Sequence, residues 1–268
     1  MLDRLSLIAL ALASAADAAQ AQAPLAPSSS WNVDYAESEC RLSRTFGPAD
    51  DTITLRIIRG ASLKAVEYTL AGKSLKIRDW NYNVLLRLGP DGTSHKLPVL
   101  WYRLPTGEGA LQIIGENELR PAEIASTRTL SVELDGAEPL QLAVGSLDKP
   151  FAALNACYDD LLTSWGIDPT KVRDLKTAAR PLNIQSWSIF ENIWASDAAK
   201  GSKWMTIRLD VNEIGKAQTC KTLASSGSAE LDAKICAAAI KKARFVPAAS
   251  ASGEKVGAPF VLRIQMRE

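Results

Sequence analysis

Short segments in which apolar and polar residues alternate follow one another through the first half of the chain. Alternation with a period of two places the apolar side chains on one face, so each segment fits a half-buried β-strand. The clearest segments span residues 53–57, 66–70 and 84–88, with further candidates at 99–103, 110–114, 130–134 and 140–144. Turn sequences that contain Gly or Pro separate them at 71–73, 89–92, 105–107 and 135–136. Short strands with frequent turns predict an antiparallel sandwich or barrel.

The periodicity changes at Pro150, where apolar residues begin to recur at helical spacing. Pro150 suits the first turn of a helix, and Gly166 suits its C-terminal end. The apolar face comprises Phe151, Leu154, Cys157, Tyr158, Leu161, Leu162 and Trp165. We expect this helix to pack on the predicted sheet and to close an N-terminal domain of residues 22–166.

Two segments flank this domain. Residues 23–30 are rich in Pro, Ala and Ser, which is typical of a flexible lead-in. Residues 167–202 have a weaker pattern but include Trp187 and Trp194. Because a flexible linker seldom carries two tryptophans, we interpret this second segment as an ordered connector.

The C-terminal quarter, residues 203–268, has a pattern of its own. Apolar residues alternate from Met205 to Val211, and a turn at 212–215 leads into a second strand at 216–223. Ser228 is placed to cap a helix. The apolar arc of that helix comprises Leu231, Ile235, Cys236, Ala239 and Ile240. The last strand comprises Phe260, Val261, Leu262, Arg263, Ile264, Gln265 and Met266. The predicted fold is therefore α+β, with a β-rich N-terminal domain, a packed helix and a small C-terminal ββαβ domain.

Residues 1–21 have the layout of a secretory signal peptide. Arg4 precedes an apolar run at 5–16, and Ala19-Gln20-Ala21 supplies the small residues that a signal peptidase selects. The run is shorter than the roughly 20 residues that a membrane-spanning helix needs. We predict export with no stable membrane span, and an uncleaved anchor is the alternative.

Export determines how the four cysteines are interpreted, because thiols pair in an oxidising compartment. Cys220 and Cys236 lie close together in the C-terminal domain, which leaves Cys40 and Cys157 for each other. Metal binding is the competing interpretation. The chain has one His and no C-x-x-C spacing, so the sequence favours two structural disulfides and predicts no metal site.

The charge balance argues against a nucleic-acid partner. The chain has 31 basic and 30 acidic residues, which give a formal net charge of +1. A nucleic-acid-binding protein usually carries a basic stripe, and no long run of like charges occurs here.

Several adjoining features of the C-terminal quarter resemble the TonB C-terminal domain family, which includes TonB-like and TolA-like domains. They are the opening strand at 207–211, Gly215, the run at 225–227 before Leu231 and Asp232, the stretch 243–248, Gly253 and the closing strand. Cys220 and Cys236 also resemble a cysteine pair that a subset of these domains carries. Strict alternation places Cys220 on the opposite face of the strand from Ala217 and Leu223, so we expect a bulge or a twist that turns Cys220 toward the helix.

The resemblance implies a periplasmic domain whose open sheet edge binds an extended segment of an outer-membrane transporter by β-augmentation. We expect this edge at the last strand, with the side chains of Val261, Arg263 and Gln265 facing outward. The implied partner is the extended segment of an outer-membrane TonB-dependent receptor or of another envelope protein. The alternative is an edge covered by the N-terminal domain or by a second copy of the chain, as a homodimer.

The chain departs from a complete TonB energy transducer, which has an inner-membrane helix and a long proline-rich spacer. Only 13 prolines occur in 268 residues, and a β-rich region lies where the spacer would lie. We therefore carry over the binding function and not the energy-coupling function.

No motif predicts an enzyme. His95 is the only histidine and follows Ser94, but sequence adjacency does not establish the geometry of a Ser-His-Asp site. Asp159 and Asp160 are neighbours on the predicted helix, where adjacent side chains point about 100° apart. The run at 225–227 lacks the glycine pattern of a nucleophile elbow and suits a turn before a helix cap. Dinucleotide-binding and P-loop motifs are absent, so no cofactor is expected.

Three hypotheses for function follow from the sequence. The first is a periplasmic protein-interaction module. The second is a structural or envelope-stress protein that uses the module for homodimerisation or internal packing. The third is a hydrolase or inhibitor whose site lies in the N-terminal domain.

Overall fold

The computed structural model describes residues 23–75, 83–89, 94–115, 121–133, 139–182 and 204–265. Several features predicted from the sequence lie outside these ranges. They are the signal peptide at 1–21, Trp187 and Trp194 of the connector, turn residues 90–92 and 135–136, and Met266.

Nine of the described strands form one large antiparallel sheet, and the seven segments predicted from alternation are among them. They are β1 (Asn32–Tyr35), β2 (Cys40–Phe46), β3 (Ile53–Arg59), β4 (Val66–Gly72), β5 (Asn83–Leu88), β6 (Ser94–Arg103), β7 (Gly109–Gly115), β8 (Leu130–Glu133) and β9 (Leu140–Leu142). Their order across the sheet is β1-β2-β3-β4-β7-β6-β5-β8-β9, and the sheet curls into a half-barrel. A short helix, α1 (Pro121–Ser126), lies between β7 and β8 in the chain.

A segment that begins at Leu25 connects the two ends of this sheet. Leu25 donates its N–H to the carbonyl of Gln141 at 2.8 Å and accepts the N–H of Ala143 at 2.9 Å, beside β9. Two residues later, Pro27 forms a bridge with Phe46 of β2. The predicted flexible lead-in is therefore wrong here, because its backbone is hydrogen-bonded to both ends of the half-barrel.

Helix α2 (Asp148–Ser164) packs against the apolar face of the large sheet, as predicted, although it begins before Pro150. Its buried side chains are Phe151, Leu154, Cys157, Tyr158, Leu161 and Leu162, and they share one core with the inward residues of the strands. A disulfide joins Cys157 to Cys40 at the start of β2. The phenol of Tyr158 donates to the carbonyl of Gly60 at 3.2 Å. The helix is thus fixed to the sheet by covalent, polar and apolar contacts.

The residues after α2 lead directly into the C-terminal part. They form α3 (Pro169–Arg173), β10 (Leu175–Thr177) and β11 (Arg180–Pro181). The C-terminal elements are β12 (Trp204–Val211), β13 (Ala217–Ala224), α4 (Ala229–Lys242), β14 (Phe245–Val246), β15 (Ala248–Ser250), β16 (Lys255–Val256) and β17 (Ala258–Gln265). Strand β10 pairs with β15, and β11 pairs with β14. The first part of the predicted connector is therefore ordered, with Val172 of α3 buried in the core of the large sheet and β10 and β11 paired with C-terminal strands.

The C-terminal core lies between α4 and a three-stranded sheet of order β13-β12-β17. The hydroxyl of Ser228 accepts the N–H of Leu231 at 3.3 Å, which confirms the predicted helix cap. A disulfide joins Cys220 to Cys236. The register of β13 shifts between Ala217 and Thr219, and this irregularity turns Cys220 toward α4 as expected.

Three contacts fix the small sheet to the large domain, which is formed by the nine-stranded sheet and α2. Val261 of β17 is only 3% exposed and packs in the large core. The guanidinium of Arg208 on β12 donates to the carbonyls of Trp165 at 3.1 Å and Gly166 at 2.7 Å, beyond the last turn of α2. A cation suits this position because the terminal carbonyls of a helix carry partial negative charge. Arg263 of β17 pairs with Glu39, which directly precedes β2.

Within the described ranges, no helix combines the length and the apolar character that a membrane span requires.

Candidate functional site

Strand β17 is the terminal strand of the small sheet, and within the described residues no other strand pairs with its outer edge. Its pairing with β12 is regular along its whole length. The opposite terminal strand, β13, has two register shifts in its pairing with β12. Because irregularities of this kind disrupt the row of backbone groups that an added strand needs, β17 is the better template for strand addition.

The directions of the backbone groups on β17 follow from the neighbouring hairpin. Asn212 donates its N–H to the carbonyl of Lys216 at 3.0 Å, on the β13 side of β12. Backbone directions alternate along a strand, so the odd-numbered residues of β12 direct their groups toward β17. Their partners on β17 are Phe260, Leu262 and Ile264. The intervening residues Val261, Arg263 and Gln265 therefore direct their N–H and C=O groups toward the outer edge. The groups of Val261 are covered there, because the whole residue is only 3% exposed.

Both faces of β17 are packed, which corrects one expectation from the sequence. Ile264 is buried and Phe260 and Leu262 are partly buried against the C-terminal core under α4. Val261, which the alternation places on the outward side, is instead buried against the large domain. The prediction of an outward-facing Val261 is wrong because the underside of the small sheet is itself an interface. Met266 and the side chain of Gln265 are outside the described residues.

A polar groove of about 940 Å³ lies beside β17, on the face of the large sheet away from its core. Its lining residues come from β1 to β4, β6 and β7, and the C-terminal part contributes Arg263 alone. Neither β12 nor β13 contributes to its lining. The charged lining residues are Asp34, Glu39, Arg41, Arg56, Glu67 and Arg263.

Glu39 is the centre of an ion-pair network in this groove. Its carboxylate accepts from Arg41 on β2 and from Arg263 on β17. Arg41 in turn pairs with Asp34 of β1 at 3.0 Å. The Glu39 side chain is 11% exposed, so both of its cationic partners are needed to offset the loss of hydration of a nearly buried carboxylate. The network fixes β17 at one end of the groove.

Glu67 on β4 adds a further carboxyl group to the groove and accepts a hydrogen bond from Gln112 Nε2 at 2.9 Å. Burial raises the pKa of Glu67, and the nearby charge of Glu39 raises it further. The hydrogen bond from Gln112 and the charge of Arg263 act in the opposite direction, with a smaller combined effect. Glu67 is therefore a carboxyl group whose ionised form is disfavoured by its surroundings.

We expect Glu67→Gln to raise the free energy of unfolding at pH 7. The pKa of Glu67 is raised by folding, so the stability that this group contributes is present below its unfolded pKa and is lost as pH rises through its folded pKa. An amide keeps a hydrogen bond with Gln112 and carries no charge. Urea unfolding should show that Glu67→Gln is more stable than the native chain at pH 7. This gain in stability should disappear below about pH 4, where the native carboxyl is protonated.

The exposed Glu254 supplies the control. Glu254→Gln should leave unchanged the difference in the free energy of unfolding between these two pH values. Equal stability of Glu67→Gln and the native chain at pH 7 would contradict the electrostatic account of the groove.

The sequence candidates for catalysis are not brought together. Ser94 and His95 are neighbours on β6, where successive side chains point to opposite faces. Ser94 accepts from Arg87 Nε at 2.9 Å, whereas His95 Nε2 lies 3.9 Å from a Glu123 carboxylate oxygen. A Ser-His pair needs the imidazole within hydrogen-bond distance of the hydroxyl, and this arrangement separates them.

The other polar candidates have structural partners. Asp159 binds Arg173 of α3 through both carboxylate oxygens at 2.8 Å. Ser226 donates its hydroxyl to Asp232 at 2.6 Å in the buried turn before α4. The first contact is an ion pair between two helices, and the second stabilises the turn at the start of α4.

No family model, curated protein or solved structure matches this chain. What the site can do is therefore inferred from its own residues. Among the described residues, no group of three or more His, Cys, Asp or Glu side chains is placed to hold a metal ion.

The sequence predicts the edge strand but misses the groove beside it. The polar face of the sheet is visible in the sequence, since Arg56 and Glu67 occupy the polar positions of two alternating segments. The contact of Glu39 with Arg263 joins residues 224 positions apart and leaves no signal in a local pattern.

Proposed function

We propose that this protein is an interaction protein of the periplasm, and that β17 binds an extended segment of an outer-membrane TonB-dependent receptor or of another envelope protein. The segment adds to the small sheet as a fourth strand, and main-chain hydrogen bonds supply most of the affinity. The observation that carries this proposal is the regular terminal strand β17, whose residues Arg263 and Gln265 direct backbone groups away from β12.

The packing of β17 supports the proposal. Strand addition costs less free energy when the template strand is already ordered, because little conformational entropy is lost on binding. Val261 and Ile264 are buried on opposite faces of β17, and Arg263 is paired with Glu39. The edge is thus a preorganised template.

The two disulfides support the compartment. Disulfides persist in oxidising compartments outside the cytoplasm, and both pairs of cysteines are bonded here. Together with the signal-peptide layout of residues 1–21, this favours the periplasm as the place where the partner is met.

Amide hydrogen exchange tests the proposal directly. Decapeptides selected from a random displayed library against the full chain serve as probes. On saturation with a selected peptide, the outward amides of Arg263 and Gln265 should exchange at least about tenfold more slowly. The amides of Phe260, Leu262 and Ile264 are the internal control, since their groups already face β12.

A pair of proline variants sharpens this test. Gln265→Pro removes an outward N–H from β17 and should weaken peptide binding by roughly tenfold. Thr222→Pro removes an N–H on the outer side of β13 and should leave peptide binding unchanged. Protection confined to β13, or no protection at all, would overturn the proposal. Protection of β17 that depends on protein concentration without peptide would assign the edge to a second copy of the chain.

A further inference from the structure

The groove beside β17 contains a guanidinium that the ion-pair network does not use. Arg56 lies on β3, directly across from Ser43 on β2 and from Thr69 on β4. All three residues line the groove, so the guanidinium has a hydroxyl-bearing neighbour on each side. Five donors in a planar fork make Arg the best side chain for binding a carboxylate through two parallel hydrogen bonds.

The other cations of the groove are already paired. Arg41 contacts both Asp34 and Glu39, and Arg263 contacts Glu39. Arg56 has no ion pair and no side-chain hydrogen bond with any residue in the part of the chain that the structure describes. It is half-buried on the groove floor, where a charge attracts an opposite charge more strongly than it does in open solvent.

The groove reaches β17 at Arg263, on the underside of the small sheet. A strand paired with β17 lies about 4.8 Å farther out and directs every second side chain to the underside of the sheet. On β17 this underside carries Val261 and Arg263, and Arg263 is the residue of β17 that lines the groove. We expect alternate side chains of a bound segment to point toward the polar floor that includes Arg56.

We propose that the large domain supplies a carboxylate subsite at Arg56, and that the segment added to β17 carries an acidic residue that binds there. This inference rests on the proposed function, since it names the chemistry of the segment that the edge receives. The large sheet thus selects the partner by charge, while β17 binds its main chain.

A double-mutant cycle tests the subsite. Selection of displayed decapeptides on the full chain should enrich Asp or Glu at one alternating position, and selection on Arg56→Gln should not. A selected peptide and its Glu→Gln or Asp→Asn counterpart are then titrated against both proteins. The acidic peptide should bind the native chain roughly tenfold more tightly than its amide counterpart, and this preference should vanish in Arg56→Gln.

Two further variants complete the design. Arg180→Gln changes an exposed arginine outside the groove and should keep the preference for the acidic peptide. Arg56→Glu should reverse the preference toward a peptide that carries Lys in place of the acidic residue, which a merely structural role for Arg56 does not explain. Circular dichroism confirms that each variant is folded.

The outcomes separate this inference from the proposed function. Protection of the β17 amides by peptides that show no acidic preference overturns the subsite and leaves strand addition in place. Absence of β17 protection by every selected peptide overturns strand addition, and the subsite with it. If the preference for an acidic peptide survives in Arg56→Gln, another residue binds the peptide carboxylate, and this result overturns the subsite alone.

Discussion

Replacing Cys40 and Cys157 together by alanine is expected to lower the free energy of unfolding by about 5 kcal/mol. The disulfide joins residues 117 positions apart, and on the chain-entropy model a bridge restricts the unfolded chain more when the loop is longer. It also holds the middle of α2 against the start of β2, so its loss removes the covalent link between this helix and the sheet. Equilibrium urea unfolding under oxidising conditions measures the effect.

The second disulfide provides the matched control. Cys220 and Cys236 are 16 positions apart, and the same model gives about 3 kcal/mol for their replacement by alanine. The two replacements should also destabilise different parts of the structure. Hydrogen exchange in α2 should accelerate only in the Cys40 and Cys157 variant, and exchange in α4 only in the other. Equal losses from both pairs would contradict the loop-length argument, and no loss from the first pair would show that α2 is held by packing alone.

Gly215→Ala is expected to destabilise the C-terminal part by about 3 kcal/mol or more. Gly215 has φ +79°, a left-handed conformation that costs a residue with a side chain about 1–2 kcal/mol. A Cβ at this position would lie 2.0 Å from the carbonyl oxygen of Phe245, which is a clash with backbone that cannot move independently. Phe245 also donates its N–H to the carbonyl of Gly215 at 2.9 Å, so relief of the clash breaks this bond.

Gly253→Ala separates the two contributions. Gly253 has φ +87°, close to that of Gly215, but nothing lies within 4 Å of the position that its Cβ would occupy. Its substitution should therefore cost only the conformational term of about 1–2 kcal/mol. Thermal unfolding and urea unfolding of the two variants measure the difference. Similar losses for both glycines would show that backbone conformation, and not the contact with Phe245, sets the requirement for glycine at the turn.

Local periodicity is sufficient to predict the elements whose burial follows a simple repeat. Strand β3 has buried side chains at every second position, and its alternation is visible in the sequence. Helix α2 is visible for the same reason, with one apolar face at helical spacing. Strand β2 is not predicted, because Arg44 interrupts the apolar series of Cys40, Leu42 and Phe46. The disulfides are predicted because only four cysteines are present, and a choice among three pairings needs little structural information.

Two features that depend on packing or backbone pairing between distant segments are not predicted. Val261 looks like an outward residue because it alternates with Phe260 and Leu262, and only its packing on the large core reverses that interpretation. Pro27 lies in a segment whose composition is typical of a flexible chain, yet it pairs with Phe46. In each case the local pattern is a correct description of the segment, and the partner that decides its environment lies elsewhere in the chain.

The bridge between Leu25 and Leu142 sets an order of events for a chain delivered through a membrane from its N-terminus. Residues near Leu25 emerge first, but their partner on β9 emerges only after the intervening strands. The half-barrel therefore cannot close until residue 142 has crossed, and Cys40 stays a thiol that awaits Cys157 for still longer. During that interval a chain exported as proposed is an unclosed sheet with a reactive sulfhydryl, a stage at which chaperones and thiol oxidants of the receiving compartment can act on it.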